Sequence, residues 1–232
     1  MDFKKILFTC FIIILICILF SYLEVKKNRF LEFLKKKKNI CLIIAHPDDE
    51  IMFFFPTLKF LLDKKKKNEI FLLSLSNGNY YGYGKIREKE FFNIWSYLGG
   101  EKGNCKILNN PKIQDGWDYW DEKDTSNILN DYCSKHNIKT ILTFDNYGIS
   151  GHPNHISIFN SIRLLSKIKD INIFILNSTN IIHKYMGFLS FPFLLHKSYL
   201  ISFFNPLLLL RLMFLYKSQF VYYRILFCIF SQ

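Results

Sequence analysis

From Asn39 to Leu176, short apolar runs of β-type composition alternate with helical patterns, and that alternation limits the fold more than any other feature. Asn39–Ile44 (NICLII), Ile70–Ser76 (IFLLSLS), Cys105–Leu108, Lys139–Phe144 (KTILTF) and Ile171–Leu176 (INIFIL) read as strands. Glu50–Asp63, Lys85–Leu98, Thr125–His136 and Asn154–Lys167 read as helices between them, the first closed by a lysine run with Asn68 and the second by Gly99-Gly100. Strands separated by helices must pair through crossovers. The pattern therefore predicts an α/β fold, a mainly parallel sheet with helices on both faces.

The ends of the chain differ from this middle. Ile6–Leu23 reads ILFTCFIIILICILFSYL, with no charge and only Thr9 and Ser21 polar. As a helix it would span roughly 27 Å, enough to cross a bilayer. A cleaved signal peptide is the competing reading, but its apolar core is usually shorter and no small-x-small site follows. Two basic residues, Lys4 and Lys5, precede the run, and seven lie within residues 26–38. That asymmetry predicts a single-pass anchor with the remainder on the cytosolic side. The domain reading is an anchor over 1–24, a basic linker over 25–38, a catalytic unit over 39–178 and an apolar region over 179–232. Met186–Phe230 is interrupted by Pro192, His196, Lys197, Pro206 and Arg211, which suits membrane-surface helices or ordinary buried helices better than a second crossing.

Charge supports that division. The net charge is +12, with +6 in residues 1–38, +1 in 39–170 and +5 in 171–232. A nearly neutral middle with basic ends suits anionic lipid and gives no nucleic-acid face; codon bias toward lysine is the plainer source of the runs. The six cysteines show no CxxC or zinc-finger spacing, as expected of reduced thiols.

In parallel sheets, ligands bind beyond the carboxyl ends of the strands. Three polar clusters fall there. The first strand runs into Ala45-His46-Pro47-Asp48-Asp49-Glu50, the second into Asn77-Gly78-Asn79, and the fourth into Asp145-Asn146-Tyr147-Gly148, followed by Gly151-His152-Pro153-Asn154-His155. Asn77-Gly78 is a generic turn. The other two bring an imidazole with two carboxylates and a second imidazole pair spaced i, i+3. His46 and Asp49 can reach one cation, and a helix starting near Asn154 would direct His152 and His155 to one side. Two histidines and one carboxylate leave a position open for water, the catalytic arrangement for zinc.

Four blocks carry a family resemblance: AHPDDEIMFFFPTL (45–58), LSNGNYYGYGKIREKE (75–90), TFDNYGISGHPNH (143–155) and, more weakly, MFLYKSQFVYYR (213–224). In these the chain resembles the PIG-L/LmbE-like de-N-acetylases, most closely the eukaryotic branch. The resemblance implies a Rossmann-like fold and a divalent cation, most often Zn2+, held by His46, Asp49 and His155. It makes Asp48 the general base and His152 the group that steadies the oxyanion. Arg87 and Asp145 become candidates for contacts with substrate. The implied substrate is a phospholipid-linked GlcNAc, GlcNAc-phosphatidylinositol, in the endoplasmic reticulum membrane. Another GlcNAc conjugate, or a silent membrane-bound interaction protein, is the alternative. Bacterial relatives often carry Asp where this chain has Asn154, and the family often has His where Tyr216 stands.

Overall fold

The computed structural model describes residues 3–27, 33–34, 36–64, 69–186 and 206–230. Five strands form one sheet: β1 (Ile40–Ile44), β2 (Ile70–Ser74), β3 (Cys105–Ile107), β4 (Thr140–Phe144) and β5 (Asn172–Leu176), in the order β3-β2-β1-β4-β5. All four pairings are parallel, and Ile44 lies beside Ser74 while Phe144 lies beside Leu176. Every residue of β1, β2 and β4 is buried. Covered on both faces, these strands need unbroken apolar runs, which is why they stand out in the sequence.

The helices are α1 (Phe3–Lys27), α2 (Asp49–Met52), α3 (Phe55–Lys64), α4 (Gly84–Tyr97), α5 (Glu122–Lys135), α6 (Gly148–Gly151), α7 (Pro153–Leu165), α8 (Ile181–Tyr185), α9 (Pro206–Leu215) and α10 (Tyr222–Phe230). Connections run one way from β1 to β3 and the other way from β4 to β5. Right-handed crossovers then place α2, α3 and α4 on one face and α5 and α7 on the other. The reversal falls between β1 and β4, the point where such sheets open a crevice.

Two helices differ from the expected boundaries. Glu50–Asp63 is not one helix: α2 ends at Met52, and α3 starts at Phe55. Pro56 explains the restart, since proline lacks a donor and suits only a helix's first turn. The third expected helix starts earlier, at Glu122, because Asp121 caps it through a 2.8 Å bond from the Asp124 amide.

At the amino end, α1 covers the apolar run. The side chains of residues 17, 18 and 20–27 lie outside the described set, and among the described residues no helix is long and apolar enough to cross a membrane. Within the carboxyl-terminal region, residues 187–205 also lie outside it. The described remainder packs on the sheet and its helices: Leu209, Leu212, Met213, Tyr216 and Cys228 join the core, while Leu207, Phe214 and Tyr222 are exposed. Polar ties reinforce this packing. The Tyr216 hydroxyl donates to Glu50 Oε1 at 2.6 Å. The Ser218 amide donates to Glu90 Oε1 at 3.0 Å, and its hydroxyl to Glu90 Oε2.

Glu50 is completely buried. Tyr216→Phe leaves Glu50 Oε1 without this donor, and an unsatisfied buried group costs about 1–3 kcal/mol. The thermal transition of the detergent-solubilised protein should fall accordingly. An unchanged transition would mean that the carboxyl-terminal segment does not depend on this contact.

Candidate active site

The site begins where β1 ends. Asp49 Oδ2 accepts the Ala45 amide at 3.2 Å and the His46 amide at 2.9 Å, so the carboxylate closes the strand end. His46 Nδ1 lies 3.7 Å from the same oxygen, and His155 Nε2 lies 3.3 Å from it. Burial works to raise the pKa of Asp49, but the adjoining His155 and then His46 outweigh it and hold the carboxyl well below the ordinary range.

The hydrogen bonds set the tautomer of each ring. His46 Nε2 faces two acceptors at 2.9 Å, Asp115 Oδ1 and Asn154 Oδ1, so it carries a proton and leaves Nδ1 toward Asp49. His155 Nδ1 donates to the Gly148 carbonyl at 3.0 Å, leaving Nε2 toward Asp49. That Nε2 is buried and makes no hydrogen bond, because in this tautomer it carries no proton to give to Asp49. Phe144 stacks on the His155 ring at 4.0 Å and 3°. Gly148 has φ +63°, and a Cβ there would come within 2.7 Å of the His155 Cβ, so only glycine fits.

His46, Asp49 and His155 thus offer three ligand atoms within 4.8 Å of one another. A tetrahedral zinc with nitrogen and oxygen ligands near 2.0–2.1 Å implies ligand atoms about 3.3 Å apart, close to what these residues present. The second ring nitrogens are held by Asp115 and by the Gly148 carbonyl, the usual outer support of ligating imidazoles. The residues therefore fit a divalent cation. His46, Asp115 and His152 form a second such group, which shares His46.

Asp48 sits beside this cluster at φ 106°, a strained value for a non-glycine residue. Its amide donates to Glu50 Oε2 at 3.0 Å. Arg87 donates to its Oδ1 at 3.2 Å, and Arg224 donates to its Oδ2. Arg87 also donates to the carbonyls of Gly78 and Pro47 at 3.1 and 2.6 Å, so its bonds run to the protein and brace the loop. A Cβ on Gly78 would meet the Arg87 guanidinium at 2.4 Å, so this glycine makes room for the arginine as well as turning the chain.

His152 caps α7, its Nδ1 accepting the Asn154 amide at 3.2 Å. In the neutral ring the proton is then on Nε2, available as a donor. Burial first, and the His46 and His155 rings next, push its pKa down to about 4. The His152 ring centroid lies 4.9 Å from that of His46, 5.0 Å from that of His155 and 4.9 Å from that of the exposed Trp117. Asp145 stands apart from the ligand groups. Its Oδ1 accepts the amides of Tyr147 and Gly148 at 3.1 and 2.9 Å and the Ser178 hydroxyl at 2.7 Å, and its Oδ2 accepts the Ser178 amide at 2.6 Å.

Three contributors, Asp115, Arg224 and Glu50, were not singled out by sequence reasoning, and a fourth, Asn154, was noted only as a departure from the bacterial pattern. Asp115 lies in a polar loop with no motif. Arg224 ends the weakest of the four blocks. Burial pushes Glu50 up to about 8, and it joins the Asp48 amide to Tyr216. Asn154 does touch a histidine, but its side chain supports His46, while only its backbone reaches His152. The presence of Asn rather than Asp at this position was the available signal.

The PIG-L family model, GlcNAc-PI de-N-acetylase, matches residues 41–165. The probable N-acetylglucosaminyl-phosphatidylinositol de-N-acetylase of Schizosaccharomyces pombe is 39% identical over 66% of this chain and 62% of its own length. That of Bos taurus is 37% identical over 65% of this chain and 61% of its own length. The chain thus spans about six tenths of these two relatives. The probable enzyme of Dictyostelium discoideum is 32% identical over 84% of this chain and 90% of its own length. Among solved structures, N,N'-diacetylchitobiose deacetylase from Pyrococcus horikoshii shares the fold, with a TM-score of 0.58 and 19% identity over 83% of this chain and 76% of that one. The family match covers more than half of the chain and includes every residue of the ligand cluster, and on that ground the chain belongs to the PIG-L, or GlcNAc-PI de-N-acetylase, family.

Proposed function

We propose that this chain is a metal-dependent amide hydrolase acting on N-acetylglucosaminyl-phosphatidylinositol. The products are acetate and glucosaminyl-phosphatidylinositol, a step of GPI-anchor biosynthesis. The observation that carries the reading is the convergence of His46 Nδ1, Asp49 Oδ2 and His155 Nε2, with Asp48 and His152 alongside. Two imidazoles and one carboxylate favour zinc over the harder magnesium or calcium. When bound, the cation supplies Lewis acidity toward the acetamide carbonyl and makes water acidic enough to lose a proton near neutral pH.

The chain's own residues do the rest. Asp48, fixed by Arg87 and Arg224, takes the proton from the attacking water. The water oxygen adds to the acetamide carbon. His152 donates through Nε2–H to the developing oxyanion. The carbon–nitrogen bond then breaks, and the proton held by Asp48 passes to the leaving amine. Arg87 contributes through its hold on Asp48. Asp145 contributes by holding the loop against which the sugar lies. The apolar run Ile6–Leu23 and the basic residues at 26–38 support a single anchor in the endoplasmic reticulum membrane with the catalytic unit facing the cytosol.

Acetate release from GlcNAc-phosphatidylinositol in vesicles should stop on chelation and return with zinc. In His155→Ala, metal content and activity should fall together; full metal occupancy in that variant would remove His155 from the ligand set.

Asp48→Asn keeps the shape and removes the base. Turnover per metal-loaded molecule should fall by about two to four decades. Near-normal turnover would give the proton another acceptor and require a mechanism built around His152.

A carboxyl-terminal tag on microsomal protein should be digested by added protease without detergent. Its survival would refute the cytosolic orientation.

A further inference from the structure

A cleft of about 610 Å³ opens between the loops that follow β4 and β5. Asn146, Tyr147 and Ser150 line one side, and Thr179, Asn180 and Lys184 line the other. Its volume lies within the range of small-molecule sites. The cleft and the ligand cluster share a wall. Asp145, Asn146, Tyr147, Ile149 and Ser150 line the cleft, and Gly148 of the same loop supplies the carbonyl that orients His155. Lys184 Nζ lies 5.7 Å from the Phe53 ring centroid, and that ring lies 5.9 Å from the His155 ring.

The chemistry of the lining is specific. Lys184 is its cation, and no described carboxylate pairs with it. The Asp145 carboxylate accepts four hydrogen bonds from its own loop and Ser178, so both of its oxygens are engaged by the protein. Among the described residues, the side chains of Asn146, Ser150 and Thr179 have no hydrogen-bond partner, which leaves an amide and two hydroxyls free to face a polyol. The wall between cleft and cluster is rigid. Ile149 is held at φ 65° although β-branched, and its amide donates to the Ser178 hydroxyl at 2.9 Å. Strain of that kind persists only where surrounding contacts impose it. Burial lowers the pKa of Lys184, a tendency that an anionic ligand would oppose.

We propose that this cleft is the subsite for a phosphorylated cyclitol, the phosphoinositol part of the substrate, with Lys184 on the phosphate and Asn146, Ser150 and Thr179 on the ring hydroxyls. The proposal rests on the deacetylase reading and locates the half of the substrate that does not react. In N-acetylglucosamine the acetamide is carried on the carbon next to the anomeric carbon. An inositol attached there lies about one sugar width from the reacting carbonyl. Adjacent strands are about 4.8 Å apart, so a ring one strand over from the β1–β4 crevice on the β5 side falls at this cleft, and the lining chemistry selects that side.

The test uses the full-length solubilised protein and three probes. Calorimetry reads binding of glycerophosphoinositol and, separately, of inorganic phosphate. Acetate release reads kcat/KM for a short-chain GlcNAc-phosphatidylinositol and for a GlcNAc glycoside of a neutral alcohol. Glycerophosphoinositol should bind the wild type and bind Lys184→Gln about tenfold more weakly, Lys184→Glu more weakly still, with Lys184→Arg retaining most of the affinity. The preference for the phosphate-bearing substrate should drop by a similar factor in Lys184→Gln. Metal content and melting temperature identify any variant that has simply failed to fold, and Asn146→Ala then serves as the second probe of the same wall. Equal affinity of wild type and Lys184→Gln for glycerophosphoinositol would overturn the proposal. So would inorganic phosphate binding as tightly as glycerophosphoinositol, the mark of a general anion site. Absence of acetate release from either substrate by the wild type would instead defeat the deacetylase reading, and the calorimetry would still decide the cleft.

Discussion

One oxygen, Asp49 Oδ2, joins the scaffold to the chemistry. It accepts the first two amides beyond β1 and faces an imidazole from its own loop and another from the far side of the sheet's crevice. Taking a carboxylate out of water costs several kcal/mol unless donors or opposite charges replace the lost solvent. Here two backbone amides supply part of that replacement whatever else is present. The rest must come from protons on the two rings or from a cation between them. Those two solutions exclude each other, because a ligand nitrogen must be free of its proton. The outer partners already fix which nitrogen of each ring is free. Little rearrangement separates the two states.

Around that oxygen lies a second arrangement that ties the carboxyl-terminal region to the catalytic unit. Asp48, Glu50 and Glu90 are buried carboxylates, and their partners include Arg224, Tyr216 and Ser218 respectively. All three partners come from one short segment between α9 and the first turns of α10. An amphipathic helix held only by apolar contacts could slide on the core. Three directed bonds to buried acids remove that freedom. They also give Asp48 its second guanidinium, which helps hold the residue in a backbone conformation that costs about 1–3 kcal/mol elsewhere. The segment is therefore structural and functional at once. Its apolar composition, read alone, left membrane-surface helices and buried helices equally open.

Strands buried on both faces were legible because apolar residues dominate them, with Ser74 and Thr143 admitted through hydroxyl bonds to backbone carbonyls: NICLII, IFLLSLS and KTILTF each fall on an observed strand. The break between α2 and α3 was less so, since Phe53, Phe54 and Phe55 continue an apolar pattern and only Pro56 marks the restart. Within the site, His46, Asp48, Asp49, His152 and His155 announced themselves through close spacing at strand ends. Asp115 could not, because its partner His46 is far away in sequence and only the sheet brings the β3 loop across. Arg224 is farther still from Asp48, and an arginine among tyrosines near a chain end reads equally well as a lipid-facing charge. Local spacing exposes groups that act from one loop. Groups that act by supporting another residue are visible only once the fold has closed.

The loops at the carboxyl ends of the strands carry more than the reacting groups. Tyr80, Tyr81, Trp117, Tyr119 and Tyr147 are all exposed there, and Trp117 lies against His152. Exposed aromatic rings are costly in water and comfortable at a boundary where one end can remain apolar and the other wet. A sugar attached to a membrane lipid sits at such a boundary. A hydrolase for it must bring a buried, water-poor reaction centre to the interface without extracting the lipid. Strand-end loops that expose tyrosine and tryptophan suit that requirement, because these side chains tolerate headgroups and also stack on the apolar face of a sugar ring. Under the proposed function, the histidines then need to reach only one sugar's depth beyond those loops.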